Sequence, residues 1–208
     1  VFGGYVGGSG GSWYPYDLGR GDFNEDGELD VVTANHSSRS VGVFLGKGDG
    51  SFESGVAYGV GSSGNPIGIG VGDVNGDGHM DVVVAEWSSS NVDVLLGQGD
   101  ASFGAPTSLA VGSNPRDAVV AELDGGGRAE IVVANYSSHS VSVLRRKADD
   151  SGYERQDMGV GSNPQGLAVG DVDGDGDLDI VTANRGSDNI SVLLNDGAGN
   201  FAGAVAYA

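Results

Sequence analysis

An acidic loop recurs at one fixed point of a repeat about fifty residues long, and no other feature constrains the fold as tightly. The loops begin at Asp22, Asp73, Glu122 and Asp171, spaced by 51, 49 and 49 residues. Seven residues before each stands a proline: Pro15, Pro66, Pro115 and Pro164. Three of these prolines lie in Gly-Ser/Asn-rich turns, such as Val111-Gly112-Ser113-Asn114-Pro115. A β-branched run follows each loop, at Val31–Ala34, Val82–Ala85, Ile131–Ala134 and Ile180–Ala183. After a Ser/Asn-rich turn comes a second apolar run, at Val41–Leu45, Val92–Leu96, Val141–Leu144 and Ile190–Leu194. A Gly/Asp turn then ends in an aromatic residue, Phe52, Phe103, Tyr153 or Phe201, and a weaker strand leads back to the next proline.

Four short strands per repeat, punctuated by turn residues and without helical periodicity, predict an all-β chain. The period leaves no room for a crossover helix in each unit, and a β-helix would use shorter repeats. The pattern therefore predicts β-propeller blades of four antiparallel strands. One blade cannot bury both of its faces alone, whereas stacked blades cover one another. We read residues 1–208 as one propeller or propeller segment, with repeats over about 13–58, 64–109, 113–158 and 162–208. Residues 1–8 align with the fourth strand of a blade, as do Phe201 to Ala208, so 1–8 form a surplus outer strand. That asymmetry implies part of a larger ring, or self-association through terminal strands, since an exposed strand edge is a template for pairing.

The formal charge of −19, from 29 acidic against 10 basic residues, repels nucleic acid and anionic membrane surfaces and attracts cations. There is no cysteine, which removes disulfides and thiolate metal sites. No apolar run approaches the ~20 residues of a membrane-spanning helix, so direct membrane insertion is not expected.

The acids gather in the repeated loops. Three of them read Asp-x-Asn/Asp-x-Asp-Gly-x-x-Asp: Asp22 to Asp30, Asp73 to Asp81 and Asp171 to Asp179. Oxygen donors at positions 1, 3, 5 and 9 let a tight loop wrap a hard cation. Position 7 can add its backbone carbonyl, and glycine at position 6 permits the sharp turn. The candidate metal positions are Asp22, Asn24, Asp26, Glu28 and Asp30 in the first loop. In the second they are Asp73, Asn75, Asp77, His79 and Asp81, and in the fourth Asp171, Asp173, Asp175, Asp177 and Asp179. Calcium suits such loops better than Mg²⁺, which demands a stricter octahedron. Asp/Asn/Gly clusters also make plain hairpin turns, but three in register, with mutually repelling carboxylates, favour a bound ion. The third loop, Glu122 to Glu130, is degenerate: position 5 is Gly126, and Arg128 brings a positive charge. It is expected to bind calcium weakly or not at all, using turn hydrogen bonds and Arg128 instead. About three calcium sites follow.

These motifs, Gly170-Asp171-Val172-Asp173-Gly174-Asp175-Gly176 and Ser191-Val192-Leu193-Leu194 among them, resemble the FG-GAP/VCBS repeat family of integrin α-subunit heads and bacterial surface proteins. The resemblance implies a propeller with structural calcium between the first and second strands of each blade, and ligand binding on the opposite face. Complete rings of that family usually have more than four blades.

On that opposite face, beside the proline turns, the repeat places His36, Trp87, Tyr136 and Arg185 at equivalent positions. An exposed aromatic on a polar face is a stacking platform for a glycan or a protein side chain. It also packs on neighbours in ordinary loop tips. Arg20-Gly21-Asp22 is read as coincidental, because Asp22 belongs to a metal loop, and sequons at Asn35, Asn135 and Asn189 are weak signals. The three histidines occupy unrelated points of the repeat, and no nucleophile elbow, phosphate loop or zinc-type pair is present. A non-enzymatic, extracellular module is expected, adhesive or assembling. A lectin-like binder and the non-catalytic propeller of a larger hydrolase or lyase are the alternatives.

Overall fold

The computed structural model describes residues 13–61 and 64–208; the surplus strand expected over 1–8 lies outside the described residues. Sixteen strands form four separate four-stranded antiparallel sheets, each in sequential order. Blade 1 comprises β1 (Pro15–Gly21), β2 (Asp30–Asn35), β3 (Ser40–Phe44) and β4 (Val56–Gly59). Blade 2 comprises β5 (Pro66–Gly72), β6 (Asp81–Glu86), β7 (Asn91–Leu95) and β8 (Thr107–Ala110). Blade 3 runs β9 (Pro115–Ala121), β10 (Glu130–Asn135), β11 (Ser140–Arg146) and β12 (Tyr153–Gly159). Blade 4 runs β13 (Pro164–Gly170), β14 (Asp179–Asn184), β15 (Asn189–Leu193) and β16 (Val205–Tyr207). Among the described residues there is no helix, and the architecture is that of propeller blades.

The recurring proline opens the first strand of every blade. Proline has no N–H to give a ladder, so it is tolerated at a strand's first residue and at a bulge. Both apply here: the register between first and second strands slips at Pro15, Pro66, Pro115 and Pro164. These first strands stand side by side, β5 between β1 and β9, and β13 against β9.

The core lies between blades. The second strand of each blade carries β-branched residues on both faces, and the third carries valine or isoleucine on one. One face packs on the preceding blade (the front) and one on the following blade (the rear). Val32, Ala34, Val41 and Val43 on the rear of blade 1 meet Ile69, Val82, Val84 and Leu95 on the front of blade 2. Val83, Ala85, Val92 and Val94 repeat the arrangement against Ala118, Ile131, Val133 and Leu144 of blade 3. Val132, Val141 and Val143 repeat it against Ile180 and Leu193 of blade 4. Burial of such side chains stabilises by about 1.5–3 kcal/mol each. The Gly/Asp turn of blade 2 adds an aromatic, Phe103, packed on Phe23 and Tyr58 of blade 1 with ring centroids 5.8 and 5.1 Å away.

Candidate metal centres

All four acidic loops leave the first strand of a blade and enter the second, so they collect at one end of the blades. The glycine at position 6 has φ of +88° at Gly27, +90° at Gly78, +78° at Gly127 and +99° at Gly176. That left-handed backbone is why the position is glycine. The first carboxylate then holds the turn. Asp22 accepts N–H groups from Asp26 and Gly27 at 3.1 and 2.9 Å. Asp73 accepts from Gly76 and Gly78 at 2.6 and 2.7 Å, and Asp171 from Gly174 and Gly176 at 2.7 and 3.1 Å. Bound in this way, Asp22 is tied into its own loop, as the coincidental reading of Arg20-Gly21-Asp22 requires.

Carboxylate oxygens of Asp171, Asp173 and Asp175 lie within 4.8 Å of one another. Asp173 is held above the ordinary carboxylate range, by partial desolvation and by the charges of Asp175, Asp179 and Asp171. In the first two loops position 3 is an asparagine, whose amide donates to the position-5 carboxylate. The Asn24–Asp26 and Asn75–Asp77 bonds are both 2.8 Å. Each asparagine oxygen meanwhile accepts the position-5 N–H.

Position 9 has a double duty. Asp30, Asp81 and Asp179 are fully buried. One oxygen of each accepts the N–H of position 2, from Phe23, Val74 or Val172, at 2.8–3.0 Å. The other accepts the N–H of Gly46, Gly97 or Asn195, just after the third strand, at 2.8–2.9 Å. The carboxylate thus ties the loop to the neighbouring hairpin, and its remaining lone pairs are what it has for an ion. Burial pushes Asp81 up to about 6, against the two N–H bonds and with help from Asp77 and Asp73.

Position 7 behaves differently. The side chains of Glu28, His79 and Asp177 lie over Gly48, Gly99 and Gly197 in the next turn, where an added Cβ would come within 2.5–2.6 Å of them. They point out of their loops, and His79 reaches Glu25 of the first loop at 2.5 Å. Only the backbone of position 7 is inside the loop, its N–H bonded to the position-5 carboxylate at 2.8–2.9 Å.

The third loop corrects one expectation. Glu122, Asp124 and Glu130 converge as closely as the acids of the fourth loop, but the positive charge among them is Arg145, not Arg128. Arg145 Nε lies 3.1 Å from Asp124 Oδ2 and 3.6 Å from Glu130 Oε1, and its Nη2 donates to the Gly199 carbonyl at 2.7 Å. Arg128 turns away to Asp150, 2.8 Å distant. Glu130 is pushed up to about 7 by burial and by Asp124 and Glu122, against the Leu123 N–H and Arg145. Arg145 carries a signal in the sequence: Leu45, Leu96 and Leu194 stand at the equivalent points of the other repeats.

At the other end of the blades, His36, Trp87, Tyr136 and Arg185 occupy one repeated backbone position. Each donates its N–H to the residue before the proline, Tyr14, Asn65, Asn114 or Asn163, at 3.0–3.2 Å. Trp87 and Tyr136 are half-buried and tilted against each other at 5.3 Å, with the Arg116 guanidinium 5.7 Å from the Trp87 ring centre. His36 packs on Tyr16 at 4.9 Å, and Arg185 is exposed. Two of the sequon asparagines, Asn35 and Asn135, are fully buried and bonded to Ser40 and Ser140. Folded, they offer no acceptor nitrogen. At Glu86, the same point of blade 2, a carboxylate stands in place of asparagine. Both of its oxygens are buried without a hydrogen bond among the described residues. Burial, then the charge of Asp93, pushes it up to about 8, with Arg39 opposing.

Donors made only of oxygen, brought together by a backbone that is already turned, fit calcium. In each of the three full loops, positions 1, 3, 5 and 9 would hold it, and the ion would supply the charge that the clustered carboxylates lack.

Solved structures resemble the chain at the level of fold. One is an Agrocybe aegerita lectin described as recognising non-reducing terminal N-acetylglucosamine: 21% identity, TM-score 0.57, covering 91% of this chain and 52% of that one. Another is a periplasmic gluconolactonase of Pseudomonas aeruginosa, 14% identical, TM-score 0.61, with 88% and 51% covered. A third is an exo-β-1,3-galactanase of Clostridium thermocellum, 12% identical, TM-score 0.59, with 88% and 47% covered. The chain thus spans about half the length of these proteins. No curated protein matches it. The model of the FG-GAP-like repeat matches residues 22–84, 73–133 and 122–182, and that of the FG-GAP repeat matches 163–207. With acidic loop, strand pair and aromatic turn matched in every blade, the chain belongs to the FG-GAP repeat family.

Proposed function

We propose that this chain is a calcium-stabilised, extracellular propeller module that serves adhesion, assembly or protein interaction and carries no catalytic site. The observation that supports it best is the contrast within the repeat. Three loops cluster oxygen donors and hold no arginine or lysine of their own, His79 of the second leaning away to Glu25, while the one loop that has lost a donor is entered by Arg145. Surface loops of this kind suit the weak extracellular class of calcium site, with affinity on the order of 10⁻⁴–10⁻³ M. Partners would dock on the opposite face, where one repeated backbone frame presents His36, Trp87, Tyr136 and Arg185.

Thermal unfolding with calcium and with excess chelator tests the metal. A site filled at 100 times its Kd stabilises by about 2.7 kcal/mol, which is roughly 5–10 °C per site for a chain of this size. A melting temperature that ignores chelator would overturn the calcium reading.

A carbohydrate-binding role is the second reading. The Trp87–Tyr136 pair with Arg116 alongside favours it, and a lectin is among the similar folds. Loss of glycan-array binding in Trp87→Ala, with unchanged melting, would favour it over protein interaction.

A further inference from the structure

Positions 3 and 4 of the acidic loops differ from blade to blade: Asn24-Glu25, Asn75-Gly76, Asp124-Gly125 and Asp173-Gly174. Only the second loop sets an asparagine before a glycine, and the sequence has no other Asn-Gly step. At such a step a polypeptide attacks itself most readily. The glycine nitrogen closes a cyclic imide on the preceding side-chain amide carbon, and glycine has no side chain to hinder the approach. Gly76 is exposed, with a φ of +78°, and Asn75 is half-buried.

The hydrogen bonds of the second loop address each atom of that reaction. The Gly76 N–H, on the nucleophile, donates to Asp73 Oδ1 at 2.6 Å, so a carboxylate stands where the proton must go. Asn75 Oδ1 accepts the Asp77 N–H at 2.8 Å, a donor placed for the negative charge that builds on this oxygen as Cγ is attacked. Asn75 Nδ2, on the leaving group, donates to Asp77 Oδ2 at 2.8 Å. The first loop repeats the asparagine bonds but has Glu25 in place of the glycine, with a side chain to hinder its nitrogen. The fourth repeats the glycine bond, Gly174 to Asp171 at 2.7 Å, but has Asp173 at position 3. An ionised carboxylate repels a nucleophile. The second loop alone combines an amide to attack with an unhindered nitrogen.

We propose that Asn75 is a site of spontaneous deamidation, guarded by the ion of the second loop. The bond from Gly76 N to Asn75 Cγ forms and the Cγ–Nδ2 bond breaks. The Gly76 proton passes by way of Asp73 to the departing nitrogen, which leaves as ammonia. Water then opens the imide, so asparagine and water give an acid and ammonia. Opening at Cγ leaves aspartate, and the loop then has the all-aspartate donor set of the fourth. Opening at the main-chain carbonyl leaves iso-aspartate, which adds a carbon to the main chain between Asp73 and Asp77 and disrupts the bonds that close the turn. The guarding rests on the calcium reading. An ion held by Asp73 and Asn75 would take away both the proton acceptor and the freedom of the amide to swing towards the Gly76 nitrogen.

The test is peptide mapping by mass spectrometry, with iso-aspartate resolved from aspartate, on the chain aged at mildly alkaline pH in calcium or in chelator. Sucrose holds the fold in chelator, circular dichroism reports it, and the free peptide of residues 73–81 ages alongside. In chelator Asn75 is expected to convert about as fast as in the peptide and ahead of every other asparagine. Calcium at about 100 times its Kd leaves about one loop in a hundred open, and so slows conversion about 100-fold. Asn75→Asp is expected to keep the full calcium stoichiometry in calorimetry, and the iso-aspartyl fraction of the wild type to hold one ion fewer. An Asn75 that far outlasts the free peptide in the folded, chelated chain overturns the proposal. A rate that calcium leaves unchanged overturns the guarding where calorimetry shows the ion bound, and where none binds it overturns the calcium reading instead.

Discussion

The fourth and third acidic loops fold alike and answer the same electrostatic problem differently. In both, three carboxylates converge within 4.8 Å on a turn held by backbone N–H groups. Among the described residues the fourth has no basic side chain paired with it, and it offers aspartates at all four donor positions. The third has lost the position-5 donor at Gly126 and has Arg145 inserted from β11. On the calcium reading proposed above, the comparison means that the loop needs a positive charge more than it needs a particular ion. Where the chain supplies the charge covalently, the full donor set is no longer required. Glu86 gives a third answer: among the described residues neither of its oxygens has a hydrogen bond, and burial with Asp93 beside it favours the protonated form.

Arg145→Leu restores the residue of the other repeats and should be the most damaging single change. It leaves Asp124 and Glu130 without their cation, at a cost of about 3 kcal/mol in denaturant unfolding under chelator. Calcium should rescue the variant more than it stabilises the wild type, because the emptied loop then resembles its neighbours.

Asp171→Asn weakens one calcium loop. It should cost about 2 kcal/mol in saturating calcium and much less in chelator. A loss of equal size in both conditions would make the carboxylate a turn-former alone.

Glu86→Gln sharpens the third case. The folded-state value of about 8 stands above the ordinary 4.5 of an unfolded glutamate, so between those pH values the folded chain holds a proton that the unfolded chain releases. Wild-type stability from this group is therefore complete below about pH 4.5 and falls as pH rises towards 8, by on the order of 2 kcal/mol. The glutamine variant should flatten that slope in unfolding curves taken from pH 5 to 9.

Arg128→Ala should have the smallest effect, within ~0.5 kcal/mol, since its ion pair with Asp150 is solvent-exposed. A loss matching that of Arg145→Leu would return the compensating role to Arg128.

The blades and the three full loops were legible because the repeat states them four times, and a pattern in register is hard to produce otherwise. Arg145 was harder to see. It lies fifteen residues beyond the loop it enters, and its meaning depends on how a strand end folds back over that loop. Arg128 is inside the loop sequence yet faces outward. The same limit applies to position 7, where spacing alone cannot say that Glu28, His79 and Asp177 lean over the following turn.

Calcium stoichiometry at saturation, by titration calorimetry on the metal-free chain, tests the central claim most directly. Three ions per chain are expected for the wild type, with Arg145 keeping the third loop closed to a fourth. Four ions would contradict the substitution of arginine for calcium, and none would contradict the metal reading of all three loops.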